Sequence, residues 1–215
     1  MPPVQKPVAE DSTLIDLPDP DGLDIDTGLI KAISNRKSHR SFLNKPIDIE
    51  ELSFLLWATQ GIREKIDSGH AYRVVPSAGC RHALETYVAA FNVEGLDKAI
   101  YRYLPLEHKL VKVVEHKNME SKISRAAMGQ SFVGNCAATF IWTTIPYRME
   151  WRYGEASYKV IALDAGHVCQ NLYLACAATG CGTCAIAAYD QELMDSLLGV
   201  DGDEFTVYLS PVGKV

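Results

Sequence analysis

Apolar residues recur at helical spacing in residues 27–35, where Leu29, Ile30 and Ile33 share one side and Thr27 is the expected N-cap. A second helix is predicted over 48–61: Asp48 and Glu51 have capping-box spacing, an apolar face follows, and Gly61 ends it. Residues 84–93 and 99–114 are rich in Val, Ile, Tyr and Leu. Their partial alternation (Ile100, Arg102, Leu104; Leu110, Lys112, Val114) predicts neighbouring antiparallel strands, the latter interrupted at 104–108. Residues 137–145 form a continuous apolar run with β-branched members, bounded by Gly134 and Pro146, as a buried strand requires. The helical period returns over 157–179, an unusually apolar stretch closed by Gly180. A helix at 191–198 and a strand at 205–209 complete an α+β plan of a mixed sheet with surrounding helices.

Composition sets the boundaries of this plan. Residues 1–25 carry Pro2, Pro3, Pro7, Pro18 and Pro20 with few large apolar groups, which reads as a flexible N-terminal arm preceding a single domain over 26–215. With 47% apolar residues in 215, one substantial core is within reach. No apolar run is long enough to span a bilayer and no export signal opens the chain, so a soluble, cytoplasmic protein with no membrane partner is expected. A net charge of −6 without a basic stripe argues against a nucleic-acid partner. The strongest basic cluster, Arg36, Lys37, His39 and Arg40, suits a single phosphate group better than a polymer.

Four segments carry candidate chemistry. If residues 35–42 are extended, Arg36, Ser38 and Arg40 project to one side, and two guanidiniums flanking a hydroxyl would cradle a phosphate monoester; a solvated basic loop is the alternative. Pro76, Ser77, Ala78 and Gly79 form a run of small residues that permits close approach to a flat ligand, or simply a turn. The Gly- and Ala-rich stretch from Gly180 through Ala187 and Ala188 to Asp190 can present backbone N–H groups to a heteroaromatic edge. Near the C-terminus, Lys214 follows a strand and a turn.

In this order the four segments resemble the nitroreductase superfamily, and within it the branch called SagB-type dehydrogenases. The resemblance covers about residues 27–215 and rests most on Arg36–Phe42, Pro76–Gly79, Arg152-Tyr153-Gly154, Asp164-Ala-Gly-His167, Gln170-Asn-Leu172 and Gly182–Ile186. It implies a mixed, mainly antiparallel sheet in an interlocked homodimer, with flavin mononucleotide (FMN) at the interface and NAD(P)H as electron donor. It also implies roles: Arg36, Lys37, Ser38 and Lys214 around the phosphate, and Arg40 near the ribityl chain or pyrimidine edge. Pro76, Ser77, Ala78 and Gly79 of the partner would pack on the ring, and the backbone at Ala187 and Ala188 would face its N5 edge. The implied reaction is ping-pong hydride transfer to an electron-poor acceptor such as a nitroaromatic or quinone. Oxidation of a peptide or small-molecule intermediate and a non-catalytic flavin carrier are the alternatives. No catalytic side chain is obligatory. Tyr153 is the one candidate, because azoline oxidases of this kind share a Lys-Tyr pair whose nearest counterpart here is Arg152-Tyr153, and Arg is a poor base.

Other residues support little chemistry. Six cysteines without an export signal read as reduced thiols, and the Cys181–Cys184 spacing lacks the strand that precedes a redox motif. Zinc would need a second ligand pair, and helical geometry turns His167 and Cys169 apart, so no metal is expected. His82 and His167 read as structural.

Overall fold

The computed structural model describes residues 2–67 and 70–215. The strands are β1 (Leu14–Asp16), β2 (Ile62–Asp67), β3 (His70–Arg73), β4 (Leu84–Ala90), β5 (Ala99–Leu104), β6 (Lys109–Val114), β7 (Ala138–Thr144), β8 (Cys181–Thr183) and β9 (Phe205–Lys214). The helices are α1 (Leu29–Asn35), α2 (Ile49–Gln60), α3 (Met119–Ala126), α4 (Tyr147–Tyr153), α5 (Ser157–Ala178) and α6 (Gln191–Leu198). Seven strands form the central sheet in the order β1-β6-β5-β4-β7-β9-β8, and β2 with β3 makes a separate hairpin. Every pairing between these strands is antiparallel; the parallel contacts are single bridges, Ser38 to Thr183 and Ile47 to Val93.

The period of two along each strand divides the core into two layers. On β4, Val88 and Ala90 face α2 and α5, whereas Tyr87 and Ala89 face α3 and α6. On β7, Phe140 and Trp142 take the first side and Ile141 the second. Both strands are buried along their whole length, which explains why neither shows polar alternation in sequence. Leu52, Leu55 and Leu56 of α2 and Leu172 of α5 are fully excluded from solvent, each contributing about 2 kcal/mol of burial free energy.

Residues near the N-terminus, read from composition as lying outside the core, contribute to it. Leu14, Ile15 and Asp16 pair with β6 at the sheet edge. Buried arginines hold the backbone before them: Arg73 donates to the Val4 carbonyl at 2.6 Å, and Arg102 donates to those of Lys6 and Pro7 at 2.9 Å each. α1 also departs from expectation. Its N-cap is Gly28, not Thr27, and Leu29, Ile30 and Ile33 point outward, with Ile30 85% exposed; of the helix only Ala32 is buried. Among the described residues no helix is long and apolar enough to cross a membrane.

Candidate functional site

Residues 36–39 run as a strap across the end of the sheet. The His39 N–H donates to the Thr183 carbonyl at 2.9 Å, which ties the strap to β8. Gly182 makes the contact possible: a Cβ there would stand 2.6 Å from the His39 ring and 2.5 Å from the Val215 side chain. Desolvation against β8, assisted by the charge of Lys37, lowers the His39 pKa. Arg36 lies 5.2 Å from the Tyr173 ring centre, and Ser38 hydrogen-bonds the Tyr173 hydroxyl at 2.8 Å, so these two side chains do share one side. The same hydroxyl accepts the Ala185 N–H at 2.8 Å, fixing the loop after β8.

Arg36, Lys37 and His39 line a cleft of about 350 Å³ with Tyr173, Gly182 and Thr183. The ion pairs among the described residues leave Arg36, Lys37 and Arg40 without an acidic partner. Thr183 also lines the cleft, and its buried hydroxyl has no partner among the described residues. Lys214 lies close by on β9, but its ammonium is taken by Glu51 and by the Thr179 carbonyl at 3.3 Å. Partial burial opposes the charge of Lys214, yet the Glu51 carboxylate prevails and raises its pKa.

The small-residue loop lies elsewhere. The Ala78 N–H donates to Asp164 of α5 at 3.2 Å, and the Ser77 hydroxyl accepts the His82 N–H at 2.9 Å. Gly79 has φ +56°, and a Cβ there would meet the Tyr153 hydroxyl at 2.5 Å and Arg152 Nε at 3.1 Å. Pro76 and Gly79 are exposed, with Ser77 and Ala78 half-buried between them. Burial raises the pKa of Asp164, whose second carboxylate oxygen has no hydrogen-bond partner among the described residues. Asp164 and Tyr173 are nine residues apart on α5, so the two groups of residues sit about 14 Å apart along the helix.

Ala187 and Ala188 are exposed beyond the Ile186 to Leu209 bridge, and the Ala188 carbonyl accepts from Gln130 at 3.0 Å. Tyr173 had no role assigned from sequence; nothing in its spacing marks a tyrosine that joins two loops through one hydroxyl. Cys181 and Cys184 are buried and free, and burial raises the pKa of Cys181. No cluster of metal-ligating side chains occurs among the described residues.

The nitroreductase family model matches residues 33–214. The chain belongs to the nitroreductase family. A protein of Methanocaldococcus jannaschii assigned to the nitroreductases is 30% identical over 205 residues, covering 95% of this chain and 98% of that one. A solved structure from Ralstonia eutropha, also assigned to the nitroreductases, is 25% identical with a TM-score of 0.80, covering 100% of this chain and 97% of the other. The trifolitoxin-processing protein TfxB of Rhizobium leguminosarum is 26% identical over 136 residues, 61% of this chain and 36% of that protein. The nitroreductase fold thus accounts for the antiparallel sheet flanked by helices on both faces.

Proposed function

We propose that this nitroreductase-family chain is an FMN-dependent oxidoreductase that works as a homodimer and passes hydride from NAD(P)H to an electron-poor acceptor by a ping-pong route. The observation that carries the reading is the separation along α5. Arg36, Lys37 and Ser38 gather beside Tyr173 and Pro76–Gly79 beside Asp164, nine residues away on α5, and in the proposed homodimer the two sets that meet one flavin come from different chains. The outward side of α5 suits such a pairing: Ala162, Leu163, Gly166, His167 and Gln170 are exposed, and the small members allow close helix approach.

The residues present fit the cofactor. Arg36 and Lys37 supply positive charge without an acidic partner among the described residues, and Ser38 a hydroxyl held by Tyr173, a donor set suited to a phosphate monoester; Arg40, exposed and outside the lining of the cleft, would serve the neighbouring polar chain. Lys214 is paired with Glu51, so its charge is already compensated and it would join the phosphate only by sharing or leaving that carboxylate. Pro76, Ser77, Ala78 and Gly79 offer a flat, partly exposed surface held by Asp164, against which a ring stacks. Ala187 and Ala188 offer backbone groups only, so no carboxylate acts there. When bound, FMN supplies reversible two-electron hydride chemistry. The protein's part is placement, exclusion of water from the stacked face, and positive charge near the reduced ring.

The likeness to TfxB favours a second reading within the SagB-type branch, dehydrogenation of a peptide or small-molecule intermediate. Arg152 stays protonated and would not act as its base, which leaves Tyr153 as the side chain able to exchange a proton. The cradle is tested by Arg36→Ala combined with Arg40→Ala. Arg40 is exposed and Arg36 half-buried against Tyr173 at the rim of the cleft, so the fold and oligomeric state are expected to persist while bound FMN, read by absorbance after gel filtration, falls by at least about tenfold. Retention of FMN at wild-type affinity would sink the assignment.

A further inference from the structure

Around Gly79 lies a cationic and aromatic surface that the cofactor assignment leaves unused. Arg81 donates from Nε to the Gly79 carbonyl at 3.1 Å, and its guanidinium lies 5.6 Å from the Trp151 ring centre. Arg152 also packs at Gly79, its Nε 3.1 Å from where a Cβ would stand, and its guanidinium lies 5.9 Å from the Tyr153 ring centre. Neither guanidinium is in an ion pair among the described residues; the paired arginines are Arg102 and Arg148, both bound to Glu85. Glu150 and Glu155, the acids nearest Arg152 in sequence, form no ion pair with it among the described residues. Arg81 is 3% exposed and fixed, whereas Arg152 is exposed and free to meet a ligand.

Exposed aromatic rings concentrate in the same stretch. Tyr147, Trp151 and Tyr158 are at least 43% exposed, and Tyr72 is the one other large aromatic among the described exposed residues. A planar molecule stacked against Tyr153 beside Gly79 gains aromatic contact, and an anionic substituent on it gains the charge and paired donors of Arg152.

We propose that the acceptor is a planar aromatic bearing a carboxylate, and that Arg152 is the residue that selects for that charge. The inference rests on the proposed function, in which the Pro76–Gly79 loop borders the flavin ring. An exposed guanidinium beside the ring-stacking loop cannot take up a proton from substrate, but it can fix the orientation of an anion, which is a specificity role. The nucleotide's phosphates are the other source of the same charge.

Isothermal titration of FMN-loaded protein with benzoate and with its neutral isostere benzamide separates these possibilities. Benzoate is expected to bind at least about tenfold more tightly than benzamide to the wild type. That preference should vanish in Arg152→Gln and return in part in Arg152→Lys. Equal affinity for the two ligands in the wild type, or an undiminished benzoate preference in Arg152→Gln, overturns the proposal. Unchanged benzoate binding with weakened NADPH binding in Arg152→Gln also overturns it, by assigning the arginine to the donor nucleotide. The same titrations on flavin-free protein keep the two readings apart: failure to take up FMN counts against the proposed function, whereas the Arg152 comparison still stands or falls by itself.

Discussion

His82 shows how strongly a single environment constrains this chain. It is 4% exposed, and burial together with the positive charges of Arg73, Arg81 and Arg148 pushes its pKa down to about 2. The folded protein therefore keeps His82 neutral, while the unfolded chain binds a proton near the ordinary histidine value. The stability this provides is fully present above about pH 6.5 and declines as pH falls below it, by at most about 1.4 kcal/mol per pH unit. A melting temperature that drops between pH 6.5 and 4.5, with a shallower drop in His82→Gln, is the expected result of a thermal scan series. Sequence marked His82 as structural, but the three arginines that enforce neutrality come from β3, the loop after it and α4, so their convergence was not legible. Tyr173 is similar: its hydroxyl joins Ser38 to Ala185 across 135 and 12 residues, a tertiary relation without local signature.

Elements with strong local signals were the readable ones. α2 has the full capping box, with the Glu51 N–H donating to Asp48 at 2.7 Å, and α5 ends at Thr179 just before Gly180 at φ +68°. The strands β4 to β7 were legible because β-branched and aromatic residues cluster between turn residues. The extent of β9 was not, since Pro211 and Gly213 read as a turn. On the edge facing β8, β9 bridges at Leu209 and pairs again from Val212 onward, so Pro211 falls in the gap where its missing N–H takes little from the ladder. β1, β8 and α4 have seven residues or fewer and were not anticipated as elements. The loop between β3 and β4 carries its own prediction. Gly79→Ala forces a Cβ into positive φ and against the Tyr153 hydroxyl, and is expected to cost about 1–2 kcal/mol in urea unfolding. An unchanged transition midpoint would mean that the close approach of α4 to this loop contributes nothing.

At the scale of the whole molecule, the open apolar surface of α1 and the exposed small-residue side of α5 make sense together. Sequence periodicity placed Leu29, Ile30 and Ile33 at helical spacing, and within one chain they are at least 56% exposed. The proposed homodimer would cover that surface and bring the residue sets beside Asp164 and Tyr173 together in trans. Leu163, 55% exposed on α5, is a position where charge should be intolerable in a dimer and harmless in a monomer. Leu163→Glu is expected to shift the species seen in sedimentation velocity from dimer to monomer, with loss of bound FMN and unchanged far-ultraviolet circular dichroism. A variant that stays dimeric would move the interface away from α5. Flavin dependence itself is tested most directly by the visible absorption spectrum of the purified protein, followed by anaerobic addition of NADH and then NADPH. Flavin bands that bleach with one nucleotide and return with an electron-poor acceptor are the predicted result; a colourless protein that takes up no added FMN would contradict it.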